Sequence, residues 1–557
     1  MLKYKSQQAI DPNQWIKLLK SVTVDQISEI VTKFVEQLQY DYELLHDNKE
    51  VSDCALNTPR MYGFYDKQYN IGHKIAMTLF PIDETNTKNS LDIKKKWSYI
   101  KYQRLLSKLS AAFREQIEKE ETLKAQYKEV RKTYQRKYFC ELKNRPVNKL
   151  ITDPVPMPVE VSKIEELQPF FDHLSNNTPL INIPQLEFKR GVQYEDGRMD
   201  LCKQVVGPPH IGKLMDSLKN NTHINHFLLG NNIIGLNGAN AIHNFLLEEH
   251  KPQIKTWYLA GNEIDGQSTI LLADALKNDT VCEALWLKRN PLKALGGKYI
   301  GELMEINKKI KILDLHNTGL LDEGTKYIFQ SLKKNDTLRQ LYLDADGITI
   351  EGARYIAEYF DFLVGNNIKG VTSLWIDMNR IDDDGMILIA NSLKNYKYLK
   401  RLFVGSNRLS DISVKVLCDN LVDHPNLIVF DLGLYKSTSD LGELPNNFGD
   451  KGAEYIAEFM KQNKSLKVLS VLHNDLTING INKLNEALQE SNLIWLYYEQ
   501  YGLYIPQETR QMLNKKMEEN IMKNYNMSVG DFCNNELRYI RGSHKLKNID
   551  SVYRNRM

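Results

Sequence analysis

One eleven-residue phrase recurs through more than half of the chain and restricts its fold more than any other feature. It opens as INHFLLGNNII at Ile224 and returns as IKTWYLAGNEI from Ile254, CEALWLKRNPL from Cys282, IKILDLHNTGL from Ile310 and LRQLYLDADGI from Leu338. VTSLWIDMNRI follows from Val371, LKRLFVGSNRL from Leu399, LIVFDLGLYKS from Leu427, LKVLSVLHNDL from Leu466 and LIWLYYEQYGL from Leu493. The template is LxxLxLxxNxL, and the starts are 30, 28, 28, 28, 33, 28, 28, 39 and 27 residues apart. So constant a period marks a repeat array, in which each unit is too small to bury its own apolar face and stacking closes a shared core.

The phrase itself predicts a short strand. Phe227 and Leu229 stand two apart, so both point to one face. The Asn at the ninth position (Asn232, Asn262, Asn290, Asn379, Asn407, Asn474) can bond the backbone of the loop leaving the strand. A Gly-containing turn and an apolar helical stretch follow, as in GLNGANAIHNFLLEE and DDDGMILIANSLKN. The array extends one unit upstream, since Met199 lies 28 residues before Phe227, with Gln204 in the place of the later Asn. We therefore expect an α/β solenoid of about eleven strand–helix repeats, with a parallel sheet on the concave face. A hairpin turning at Glu195-Asp196-Gly197 would cap its first edge.

A period near 28 with a strand and a full helix resembles the ribonuclease-inhibitor subtype of leucine-rich repeats. That group also holds the Ran GTPase-activating proteins and the sensing repeats of innate-immune receptors. The resemblance runs from about Met199 to Leu503. It implies a fold, and a fold hosts many functions. One relative implies an activity: the Ran GTPase activators use an arginine-assisted mechanism, for which Arg190, Arg198 and Arg289 are the positions to consider. No motif singles out any of the three, and the acidic stretch typical of that family's C-terminal flank is replaced here by a basic tail.

Outside the array, residues 1–150 read as a helical domain. WIKLLKSVTVDQISEIVTKFVEQLQYDYELL carries helical spacing, and a charged helical stretch runs from Asp92 to Leu142. Its lysines suit a solvated face; the sharper alternative is a surface for nucleic acid or an acidic partner. Residues 151–184 form a Pro-rich linker, DPVPMPVEV, and a short helix; 185–505 hold the solenoid and its hairpin cap. From 506, QETRQMLNKKMEENIMKNY predicts a helix over the open end, followed by the basic, aromatic tail NELRYIRGSHKLKNIDSVYRNRM. That tail either packs back on the last repeat or serves as an arm for an anionic partner. An insertion spanning Leu434–Asn447 is rich in Gly, Pro, Ser and Asn and is expected as an exposed loop and second contact site.

Chemistry is poorly represented. The net charge of +3 over 557 residues implies no polyelectrolyte role. The six cysteines lack CxxC spacing, so neither a zinc site nor a disulfide framework is expected. No phosphate loop, HExxH or GxSxG is present. No catalytic residue, cofactor or metal is therefore expected. Cys202, beside Asp200 and Lys203 with His210 downstream, is an unspecific exception. Without a signal-like N-terminus or a run of 18 apolar residues, a cytoplasmic protein is expected.

The informative positions lie between the core leucines. The fifth phrase position points away from the core and holds Leu228, Tyr258, Trp286, Asp314, Tyr342, Trp375, Phe403, Asp431, Ser470 and Tyr497. The seventh and eighth add Lys288, Arg289, His316, Asp344, Asp377 and Met378, and the third adds Arg401 and Trp495. Aromatics beside charges on a solvent-facing strip match the composition of protein-interface hot spots. A groove for nucleic acid would need more Lys and Arg and fewer carboxylates than Asp314, Asp344, Asp377 and Asp431 supply. A protein partner on this stripe is the favoured reading. Docking of residues 1–150 into it, a GTPase-regulating activity, and nucleic-acid binding through residues 92–143 or the basic tail are the alternatives.

Overall fold

The computed structural model describes residues 145–156, 160–249 and 251–555; the helices expected within 1–144 lie outside them. Thirteen short strands form one sheet in sequence order. Strand β1 (Gln185–Glu187) pairs antiparallel with β2 (Val192–Tyr194), and β2 pairs antiparallel with β3 (Arg198–Asp200), so the cap ahead of the first repeat has two strands, one more than the hairpin predicts. From β3 the pairing is parallel through β4 (His226–Leu228), β5 (Thr256–Tyr258), β6 (Ala284–Trp286), β7 (Ile312–Asp314) and β8 (Gln340–Tyr342). It continues through β9 (Ser373–Trp375), β10 (Arg401–Phe403), β11 (Val429–Asp431), β12 (Val468–Ser470) and β13 (Trp495–Tyr497). Strands β3 to β13 are the eleven repeats, each of the first ten followed by a helix. The architecture is a leucine-rich-repeat-type solenoid. Strands pack about 4.8 Å apart and helices about 8–10 Å, so such a stack bends toward its sheet and makes that face concave.

Each repeat strand sends its middle residue into the core, where Phe227, Trp257, Leu285, Leu313, Leu341, Leu374, Leu402, Phe430 and Leu469 are essentially inaccessible. Three polar ladders join the repeats. In the first, the phrase asparagines donate to a carbonyl of the preceding repeat: Asn232 to Leu201 at 2.9 Å, Asn262 to Leu229 at 2.7 Å, Asn290 to Leu259 at 2.9 Å and Asn379 to Leu343 at 2.9 Å. Asn232, Asn262, Asn290, Asn379 and Asn407 are fully buried, and burial makes these bonds costly to lose. The second ladder went unread in the sequence. Asn221, Asn307, Asn335 and Asn463, three residues before a phrase begins, bond the end of the helix before.

The third ladder links helix starts. Asp322 accepts from the amides of Thr349 and Gly352, and Asp411 from those of Gly449 and Gly452 at 2.9 and 2.7 Å. Asp450 accepts from Thr477. Each carboxylate satisfies orphan amides of the next helix and faces the positive end of its dipole. Replacing Asp411 by Ala is expected to cost about 1–2 kcal/mol and to speed hydrogen exchange of the amides at 449–452. Asn, which keeps an acceptor, should restore most of the protection. Unchanged exchange in the Ala variant would remove this role.

The 33-residue repeat that starts at Leu338 carries extra residues in the helix Ile350–Gly365, which reaches 16 residues. The insertion after β11 is no free loop: Thr438, Glu443, Leu444 and Asn446 are buried. Asn446 takes the ladder position, donating to the carbonyls of Val404 and Leu432. The insertion thus falls inside the phrase, ahead of its asparagine, so that Tyr435 stands ninth in the sequence while Asn446 takes the place in space.

Candidate functional site

Past the last repeat, the helix Gln507–Tyr525 covers the open end. Leu513 and Met517 join the main core, and Asn520 donates to the Leu493 carbonyl at 2.7 Å. Asn526 then adopts the left-handed conformation (φ 53°), a common way for a helix to end in a turn. The chain reverses and crosses the concave face from β13 back to β3. It does so as a short helix Val529–Phe532, a π turn Cys533–Leu537, a helix Arg538–Arg541, a 3-10 helix His544–Ile549 and a last turn Val552–Asn555.

This segment covers the aromatic stripe. Phe532, Leu537 and Ile540 pack on Trp375, Phe403, Val429 and Val468; Ile549, Leu546 and Tyr553 pack on Leu228, Tyr258, Trp286 and Ile312. Beneath them the rings form one row, with centroids 6.3 Å apart for Tyr258–Trp286, 5.5 Å for Trp286–Tyr342, 3.9 Å for Tyr342–Trp375 and 5.0 Å for Trp375–Phe403. Trp286, Trp375 and Phe403 are 4%, 7% and 4% exposed, which corrects the expectation of a solvent-facing strip. The stripe lies where the phrase places it, and the chain's own C-terminal segment removes it from water.

Polar anchors fix the segment at both ends. Arg541 bonds the Asp431 carboxylate at 2.7 Å, its guanidinium 4.9 Å from the Tyr497 ring. Arg401 donates to the Ile540 carbonyl at 2.6 Å. At the far end Arg554 bonds the Tyr258 hydroxyl at 2.7 Å and lies over its ring. Ser551 and the Val552 amide donate to Asp200 at 3.0 and 3.1 Å, and Arg198 donates to the Asp550 carbonyl at 2.6 Å. Lys545 pairs with Glu283. Arg541, Lys545 and Arg554 therefore face the sheet, while Arg538 and Lys547 are exposed; of the two expected placements the tail takes the packed one, along the whole row and not on the last repeat alone. Phe532, Arg541 and Arg554 are site residues that sequence reasoning missed. The usable signal was a pair of tail arginines matched by Asp431 and by the Asp200 end of the stripe.

The other predicted residues gather beside the stripe, at the strand-exit side. Asp344 accepts from the Asp377 amide at 2.8 Å and from His316 Nδ1 at 3.0 Å. Tyr435 of the insertion lies 5.9 Å from the His316 ring. Burial lowers His316 to about 4, so the ring is neutral near pH 7, and burial raises Asp314 to about 7. Asp377 is raised well above the usual carboxylate range by burial, then by Asp344 and Asp431. Half-buried Lys288 is lowered by burial against the pull of Asp314 and Asp344. Arg289 is half-buried with a positive φ of 58°.

The geometry offers little nucleophilic chemistry. Burial pushes the Cys202 thiol up to about 12, leaving it protonated and inert. Arg198 is held by Asp196 and Arg190 by Glu166. Among the described residues, no cluster of His, Cys, Asp and Glu could hold a metal ion, and no helix is long and apolar enough to cross a membrane.

No protein-family model matches the chain, and no curated protein matches it. Among solved structures it is similar to Leiomodin-1 Actin-Binding Site 2 (ABS2), at 18% identity over 29% of this chain and 88% of that one, with a TM-score of 0.25. So partial an overlap carries no functional argument.

Proposed function

We propose that this protein is a non-catalytic interaction scaffold, a solenoid of the ribonuclease-inhibitor subtype whose concave face binds a protein. One observation carries the reading: a polypeptide segment, not solvent, lies on the aromatic stripe and is held there by side chains. Arginine–carboxylate pairs and aromatic platforms are what protein interfaces use for their strongest contacts. The subtype is supported by repeat helices of 11 to 16 residues, long enough to be full helices.

The test compares capture from the native cell lysate by wild type and by the full chain carrying Trp286→Ala and Trp375→Ala. The double variant should lose at least nine-tenths of one specific protein while circular dichroism shows the fold retained. The same set on both baits would remove the concave face from consideration.

A further inference from the structure

We infer that residues 527–555 are a resident ligand of the concave face, and that the partner is a protein segment carrying the same chemistry. That chemistry is a segment of short helical turns with two apolar clusters in succession, Phe532, Leu537 and Ile540 and then Leu546, Ile549 and Tyr553, and an arginine directed at Asp431. The inference rests on the protein-binding reading above and adds what is bound and how access is controlled.

Three features mark the segment as separable from the solenoid. The main core, from Leu167 to Met517, contains no residue of it; the segment packs on two side clusters of its own. The repeats therefore bury their leucines without it. It also adds no strand to the sheet. Apart from apolar packing it is held by side chains: Arg401 on the Ile540 carbonyl, Arg541 on Asp431, Arg198 on the Asp550 carbonyl and Asp200 on Ser551. Such contacts can break without opening the parallel ladder. Finally, it leaves the capping helix through a single left-handed residue, Asn526, which can serve as a hinge.

The fit is incomplete, so a better occupant can displace it. The Trp286 and Trp495 indole nitrogens, the Ser543 hydroxyl and the Arg554 Nε are buried without a hydrogen-bond partner. Each such atom weakens the docked state, because its bond to water has been given up for nothing. The ammonium of half-buried Lys288, two residues beyond Trp286, makes no hydrogen bond or ion pair with the described residues. A partner segment that places oxygen acceptors over Trp286 and Lys288 would gain what the tail forgoes. The tail competes through its tether instead, which holds it at an effective concentration of about millimolar. A partner must exceed that to open the site.

The experiment uses the full chain and a labelled synthetic peptide copying residues 527–555. Wild type should bind the peptide weakly, because the tethered copy holds the seat. The full chain with Phe532→Ala and Arg541→Ala should bind it at least tenfold more tightly, and adding Asp431→Ala should abolish the gain. A variant of unchanged circular dichroism that binds no better than wild type would overturn the proposal, and a gain that survives Asp431→Ala would overturn the arginine code. Dimerisation of the variant by exchange of tails, seen by light scattering, would make a second copy the occupant and overturn a separate partner. If the variant does not fold, hydrogen exchange on wild type decides. Amides at 529–541 opening well before those of β10 and β11 support a separable ligand, and equal protection overturns it. Failure of the peptide test leaves the scaffold reading standing on lysate capture. Peptide binding with failed capture would mean that the face serves only its own segment.

Discussion

Replacing Glu443 by Ala is expected to destabilise the solenoid by about 3–5 kcal/mol. Glu443 sits in the insertion after β11, its side chain 0% exposed between Arg380 at 9% and Arg408 at 5%. Arg380 reaches both carboxylate oxygens, with Nε at 2.9 and 3.1 Å and Nη2 at 2.8 Å; Arg408 Nη2 is 3.4 Å away. Removing the carboxylate takes away the anion that both buried guanidinium groups share; Arg380 keeps its bond to the Pro146 carbonyl at 3.3 Å and Arg408 keeps the attraction of Asp382 at 4.0 Å, which sets the lower end of the expected loss. Burial already lowers the Arg408 pKa, a sign that its charge is costly there. Glu443→Gln should recover little, since an amide keeps the shape but not the charge. Denaturant titration checks the magnitude, and a loss below 1 kcal/mol for Ala would show that water reaches and solvates the arginines. The same variant should release Tyr435 from His316 and expose the rim beside the stripe.

The second large effect is a gain. Asp346 holds the ladder position that Asn379 holds in the next repeat and is fully buried. Its Oδ1 accepts from the amides of Thr318 and Leu320 at 2.8 and 3.3 Å, whereas Oδ2 has no partner. In the next repeat the equivalent atom is the Asn379 amide nitrogen, which donates to the carbonyls of Leu343 and Ile376. A carboxylate oxygen can only accept, so it meets carbonyls where a donor belongs. Burial, opposed by the Thr318 and Leu320 amides, raises Asp346 from the ordinary 3.8 to about 8.

The folded state therefore keeps a proton that the unfolded chain releases near pH 4. The stability this group contributes is fully present below the unfolded value and is lost as pH climbs through about 8. That interval corresponds to roughly 6 kcal/mol as an upper bound. Asp346→Asn, which supplies the missing donor, should raise the melting temperature by several degrees at pH 8 and by little at pH 4.5, flattening the profile between. Equal melting curves at pH 8 would mean that Asp346 ionises in place with a partner, such as water, against Oδ2.

The two predictions separate what could be read from the chain from what could not. Asp346 was legible as a position: the 28-residue period places it on the asparagine ladder, and local spacing alone sets which side chains share the core, the loop and the concave face. The eleven parallel strands follow from that period because each repeat touches only its neighbours, and the antiparallel cap follows from the turn residues Glu195-Asp196-Gly197. Glu443 was less legible, since an insertion has no register to read from. Its burial depends on Arg380 and Arg408, 63 and 35 residues away.

For the candidate site the division is sharper. Alternation along each strand places Tyr258, Trp286, Tyr342, Trp375 and Phe403 in one row on the face away from the helices, and nothing but the sequence is needed for that. What covers the row is a tertiary matter. Arg541 meets Asp431 across 110 residues and Ser551 meets Asp200 across 351. Contacts so distant leave no period in the chain, because the tail is used once and matches the stripe by shape and charge. The repeat built the surface, and only folding back of the C-terminal segment decided that water would not be the first to occupy it.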